Sequence, residues 1–114
     1  PTPATLQICP ATPADVPAIV ALIKALADYE KLAHEVTGSP ADLEQALFGD
    51  RPYAEAVLAW VEGTPVGMAL FFHNFSTFLM KPGIYLEDLF VQPDYRGQGI
   101  GKALLLHVGN LALE

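Results

Sequence analysis

The apolar positions of this chain change period several times, and each change marks an element. Leu6 to Cys9 alternates weakly and is predicted to be a first strand. Thr12-Pro13-Ala14-Asp15 then carries a helix start: Thr12 as N-cap, Pro13 at the first helical position, Asp15 in the first turn. Val16, Ile19, Val20, Ile23, Leu26 and Ala27 follow at helical spacing, predicting a helix to about Leu32 with one packed face. Ser39-Pro40-Ala41-Asp42 repeats the start signal for a shorter helix through about Phe48. The repetition is local capping chemistry, with no internal repeat behind it. Asp50-Arg51-Pro52 breaks the pattern before a strand from Ala54 to Val61, a turn at Gly63-Thr64-Pro65 and a hairpin partner from Val66 to about His73. Asn74 to Gly83 is predicted as a loop, with Pro82-Gly83 its clearest breaker. Ile84 to Val91 is the next strand and Ile100 to Leu113 the last helix. The order is strand, two helices, three strands, helix. Short connections favour mostly antiparallel pairing, so the expected class is α+β, a central sheet flanked by helices.

Candidate chemistry concentrates in the last third. The strand Tyr85-Leu86-Glu87-Asp88-Leu89-Phe90-Val91 carries two acids, Gln92-Pro93-Asp94-Tyr95 turns, and Arg96-Gly97-Gln98-Gly99-Ile100-Gly101-Lys102 leads into the helix. Backbone N–H groups at a glycine loop and a helix start make a site for phosphate. A carboxylate on the strand leading to it can act as a base beside the ligand. Phosphate grip and base, close together, point to a transferase. Two commoner glycine motifs do not fit. A P-loop needs glycine where Arg96 stands and a hydroxyl where Ala103 stands. The dinucleotide pattern G-x-G-x-x-G fails because its third glycine comes one residue early, at Gly101. By period two, Tyr85, Glu87, Leu89 and Val91 share one strand face, and Leu86, Asp88 and Phe90 the other. Each acid has a functional reading and a structural one, as half of an ion pair; for Asp88 the structural reading is favoured.

Composition narrows the partners. The 114 residues, 52% hydrophobic and 17% charged, describe one globular domain with a modest core. A formal net charge of −7 argues against nucleic acid, which demands a basic footprint. The same charge suits a cationic small molecule and serves solubility equally well. No apolar run reaches the roughly 18 residues of a membrane span, so no membrane partner is expected. The start, Pro1-Thr2-Pro3-Ala4-Thr5, lacks the basic and apolar blocks of a secretory signal. A lone Cys9 forms no internal disulfide and reads as an apolar strand residue, so a cytoplasmic location is expected. His34, His73 and His107 show no metal-ligand spacing, and no metal is expected. Trp60, Phe71, Phe72, Phe75 and Phe78 are read as core and loop packing rather than a nucleobase-stacking surface.

The pattern R-x-x-G-x-G after a strand, formed by Arg96, Gly99 and Gly101, resembles the pyrophosphate loop of the GCN5-related N-acetyltransferases (GNAT), and the match runs from Ile84 to Leu113. The wording from Tyr85 to Leu105 is similar to the spermidine/spermine and thialysine branch, and Leu22 to Glu30 resembles that branch's first helix. The resemblance implies the acyl-CoA N-acyltransferase fold with acetyl-CoA as co-substrate. It implies that Arg96, Gly97, Gln98, Gly99, Ile100, Gly101 and Lys102 hold the pyrophosphate while Leu89, Phe90 and Val91 pair with the pantetheine arm. It implies direct acetyl transfer to the primary amine of a polyamine or thialysine-like acceptor, and a homodimer. Glu87 is then the acid that orients or deprotonates the amine, directly or through a water, and Tyr29 with Glu30 belongs to the acceptor site. The chemistry is coherent: an alkylammonium with a pKa of about 10.4 has no lone pair until a base takes its proton, and a carboxylate in a partly dry site is suited to that. In the family the domain continues past this helix with a strand, a helix and a closing strand pair, and the tyrosine acting as general acid lies there. The chain is therefore expected to be an incomplete domain carrying part of a site. The rival reading is a non-catalytic acyl-CoA-binding or dimerisation module that kept the loop.

Overall fold

The computed structural model describes residues 5–112. Four strands, β1 (Leu6–Pro10), β2 (Glu55–Val61), β3 (Thr64–Ser76) and β4 (Lys81–Val91), form an antiparallel sheet in the order β1-β2-β3-β4. Three α-helices accompany it: α1 (Val16–Tyr29), α2 (Pro40–Phe48) and α3 (Ile100–Ala112). Leu113, expected to end the last helix, and Pro1 to Ala4 lie outside the described residues.

The near-continuous apolar runs of β2 and β3 have a direct cause, because both faces of the sheet are covered. On one face Ile100, Leu104 and Val108 of α3 pack on Val57, Ala59, Val66, Ala69 and Phe71. On the other, Ile19 and Leu22 of α1 and Leu47 of α2 pack on Ala56, Leu58, Met68 and Phe90. Alternate residues of one strand thus enter opposite cores, and neither core contains a buried polar or charged side chain among the described residues.

The caps explain most helix boundaries. At α2 the Asp42 N–H donates to Ser39 Oγ at 3.1 Å and the Ser39 N–H returns a bond to Asp42 Oδ2 at 2.9 Å. Before α1 the Thr12 hydroxyl and N–H both donate to Asp15 Oδ2, which shapes a 3-10 turn over Pro13–Asp15, and α1 itself begins at Val16. Its end comes earlier than the predicted Leu32. Lys31 turns left-handed (φ 60), its N–H donates to Asp28 O, and the Leu32 N–H donates to Ala27 O at 2.7 Å. That is a Schellman ending with lysine where glycine is usual, so no sequence signal marks it.

The hairpins differ from expectation in the same way. The β2–β3 turn is Glu62-Gly63, both at positive φ and flanked by the pair Val61 and Thr64, so Thr64 and Pro65 already belong to β3. The loop expected from Asn74 to Gly83 shrinks to 77–80, because Asn74 pairs Gly83, Phe75 pairs Pro82 and Ser76 pairs Lys81. Pro82 is tolerated since β4 is an edge strand and can spare a donor.

One irregularity reorganises the site. Leu70 faces Asp88 while Phe71 faces Leu86, which leaves Glu87 as an extra residue without a partner, a β-bulge. The face assignment made by strict alternation is corrected here. Leu86 joins the α3-side core and Phe90 the α1/α2-side core, although period two places them on one face.

Candidate functional site

The glycine loop is main-chain architecture. Gly97 and Gly99 both sit at φ 78, a conformation that costs an L side chain about 1–2 kcal/mol. The Arg96 N–H donates to Pro93 O and the Ala103 N–H to Gly99 O. Between them, the N–H groups of Gly97 through Lys102 find no main-chain acceptor among the described residues. Free donors at the start of a 13-residue helix form a cradle with partial positive charge.

Arg96 fastens that cradle to its surroundings. Its Nε–H donates to Val91 O at 2.9 Å, and its guanidinium carbon lies 4.3 Å from the Tyr29 ring centroid and 5.5 Å from that of Phe90. One side chain therefore touches the loop, the end of β4 and the end of α1. Between these parts lies a pocket of about 370 Å3, lined by Leu26, Tyr29 and Glu30, by Leu89, Phe90 and Val91, and by Tyr95, Arg96, Gly97, Gly99, Ile100 and Gly101. The structure thus brings together most residues singled out from sequence, including Tyr29 and Glu30 from a distant segment. Gln98, Lys102 and Glu87 lie outside the lining. Leu26 and Tyr95 line it without having been singled out.

The acids lie along β4 from this pocket. Glu87 is exposed in the bulge, and Asp88 is half-buried on the face that carries Phe90. Burial raises the Asp88 carboxyl above the usual aspartate range, and the negative charges of Glu87 and Glu30 push it further the same way. Glu30, Glu87 and Asp88 therefore form one electrostatic corner, in which the ionised form of Asp88 is disfavoured and a cation is welcome. Alternation gives no sign of the bulge that sets Asp88 between Phe90 and Tyr85 on one face. Among the described residues no group of three or more His, Cys, Asp or Glu side chains is arranged to hold a metal. No helix among them is long and apolar enough to cross a membrane.

Residues 20–114 match the model of the acetyltransferase (GNAT) family. The chain belongs to that family. It is 38% identical over 104 residues to the bovine thialysine N-epsilon-acetyltransferase, an alignment covering 84% of this chain and 61% of that protein. It is 32% identical over 114 residues to the human spermidine/spermine N(1)-acetyltransferase-like protein 1, covering 94% of this chain and 16% of that one. The chain thus spans about three fifths of the bovine relative's length. In fold, this GNAT chain is similar to an aminoglycoside acetyltransferase from an uncultured soil metagenomic sample, solved in complex with sisomicin. The TM-score is 0.81 at 21% identity, over 96% of this chain and 70% of that one. The GNAT fold follows, and the antiparallel α+β architecture expected from sequence is the one observed.

Proposed function

We propose that the protein transfers an acetyl group from acetyl-CoA directly to the primary amine of a small polyamine or thialysine-like acceptor. The observation that carries this reading is the junction at Arg96, where a cradle of free N–H groups shares one pocket with Tyr29 and Glu30, and the acids of β4 lie along the strand from it. Residues 96–102 have the backbone geometry to receive a pyrophosphate: left-handed glycines, unspent donors and a helix start. Leu89, Phe90 and Val91 lie on β4, the end strand of the sheet among the described residues, and its main chain would pair with a pantetheine arm lying like an added strand. Acetyl-CoA supplies the acyl group already activated as a thioester.

The chain's own residues do the rest. Glu30, Glu87 and Asp88 attract the ammonium form of the acceptor, and Tyr29 lies beside Glu30 at the pocket wall. Glu87, on the bulge, orients the nitrogen and takes its proton, while Asp88, which binds a proton more readily than an ordinary aspartate, is the second acceptor in the corner. The proton leaves the nitrogen, whose freed lone pair would form the amide C–N bond as the thioester C–S bond breaks, and CoA would leave as a thiolate that takes up a proton. Holding both reactants in one pocket supplies much of the rate gain, so no covalent enzyme intermediate is required. The bovine and human relatives, whose names state terminal-amine acceptors, support the acceptor class.

We infer further that the chain is the N-terminal portion of a single N-acetyltransferase domain that works as a homodimer in the cytoplasm. An apolar tip at the β3–β4 turn, with Phe78 97%, Leu79 71% and Met80 79% exposed, supports self-association. A free, exposed Cys9 supports a reducing compartment. Acetylation assays against polyamines, thialysine and simple monoamines test the reading. Turnover of polyamines or thialysine well above that of simple monoamines is expected, and acetyl-CoA binding without any amine turnover overturns it in favour of a binding module.

A further inference from the structure

We propose that the stacked side chains of Phe72 and Tyr85 form a subsite for the distal part of the acceptor, its alkyl chain and a second ammonium. This rests on the acetyl-transfer reading above and adds to it the shape and charge of the substrate beyond its reacting nitrogen. The cross-strand pairs on the α1/α2 face of the sheet run in the order Phe90 with Met68, Asp88 with Leu70, and Tyr85 with Phe72. Successive same-face pairs lie about 7 Å apart along a strand. On that reading the pocket end at Phe90 is the cofactor end, and Asp88, beside the bulged Glu87, is the next position on this face. Continuing along this face away from Phe90, the acceptor beyond its reacting nitrogen would lie over Tyr85 and Phe72.

That direction has the right chemistry. The two rings stack with centroids 5.0 Å apart and planes inclined by 26°, and Tyr85 is 52% exposed, so the pair presents an open aromatic surface instead of disappearing into the core. The bulge at Glu87 makes this possible, since it places Asp88 and Tyr85 on one face although three positions separate them in sequence. Aromatic faces attract alkylammonium groups and also accept methylenes, whereas anions gain nothing there. The adjacent corner of Glu30, Glu87 and Asp88 selects for positive charge. Together they describe a linear acceptor with two ammonium groups separated by a short alkyl spacer, one at the acids and one over the rings.

The test compares putrescine with n-butylamine, which shares the chain but lacks the second ammonium. Tyr85→Ala and Tyr85→Phe are assayed for kcat and KM with each amine, and putrescine binding is measured separately by calorimetry in the presence of CoA. Thermal melts confirm that both variants fold. Tyr85→Ala is expected to lower kcat/KM for putrescine about tenfold more than for n-butylamine, and to weaken putrescine binding in parallel. Tyr85→Phe keeps the ring and is expected to restore both to within about twofold of the parent. Equal losses for the two amines, a Tyr85→Phe variant as impaired as Tyr85→Ala, or no putrescine binding by the parent overturns the subsite. If neither amine is acetylated but putrescine binds and Tyr85→Ala weakens it, the subsite stands and the transfer chemistry falls.

Discussion

The two ends of β4 are built on different principles. At its C-terminal end, the site is main chain: glycines at φ 78, N–H groups without main-chain acceptors, and a helix start, all within a few consecutive residues. Toward its middle, the site is made of side chains gathered from separate segments, Glu30 after α1, Glu87 and Asp88 on β4, and Phe72 on β3. The first kind of site depends on backbone conformation and is indifferent to most side chains. The second depends on register, so one inserted residue decides which groups meet. Arg96 joins them, bonded to Val91 O on one side and lying over Tyr29 on the other.

The sharpest way to separate the two ends is to disable the acid without touching the loop. Glu87→Gln removes a proton acceptor and is expected to lower turnover by about 10²–10⁴-fold, the usual range for a positioned base, with acetyl-CoA affinity nearly unchanged. The deficit should be largest at low pH, where free amine is scarce, and should narrow as pH approaches the amine pKa of about 10.4. A pH–rate profile identical to the parent's would reduce Glu87 to a structural carboxylate. A profile displaced instead by Asp88→Asn would transfer the role to the next residue.

The converse variant disables the loop and spares the acids. Gly99→Asp places a charged side chain where the backbone must approach the incoming phosphates, so steric block and charge repulsion act together. Isothermal titration is expected to show acetyl-CoA affinity reduced by about 100-fold. Putrescine binding, which uses the other end, should be little altered in the same folded protein. Unchanged acetyl-CoA affinity would remove the loop from the cofactor site.

How much of this was legible in the sequence follows from the same contrast. The loop could be read because a positive φ leaves its mark locally as glycine, and because Arg96, Gly99 and Gly101 keep fixed spacing. The two-sided core could be read from the unbroken apolar runs of β2 and β3. The bulge could not, since Glu87 looks like any strand residue until Leu70 and Phe71 are seen to face Asp88 and Leu86. The end of α1 at Lys31 and the extended β3–β4 hairpin were hidden for related reasons. A lysine in the left-handed region carries no signal, and Pro82-Gly83 reads as a breaker unless the strand is known to lie at an edge. Local conformational demands are written in residue type, whereas pairing register is settled only when two strands meet.

The smallest effect probes whether the acidic corner is held at a cost to the fold. In the folded chain Asp88 binds its proton more tightly than in the unfolded chain, through burial and then the charges of Glu87 and Glu30. The resulting stabilisation is present below the unfolded aspartate pKa of about 3.9. It is lost as pH rises through the raised folded value. At neutral pH the ionised Asp88 therefore opposes folding, and the neutral amide of Asp88→Asn should raise the melting temperature. Because the side chain remains partly solvated, the gain should be modest, and it should shrink as pH falls toward the range where Asp88 is protonated anyway. Saturating putrescine should reverse the order, stabilising the parent more than the variant, since only a carboxylate gains from a bound ammonium. Melts at several pH values, with and without the diamine, decide the matter. A variant that is less stable than the parent at neutral pH, or equally stabilised by putrescine, would mean that Asp88 serves the fold and takes no part in holding the acceptor.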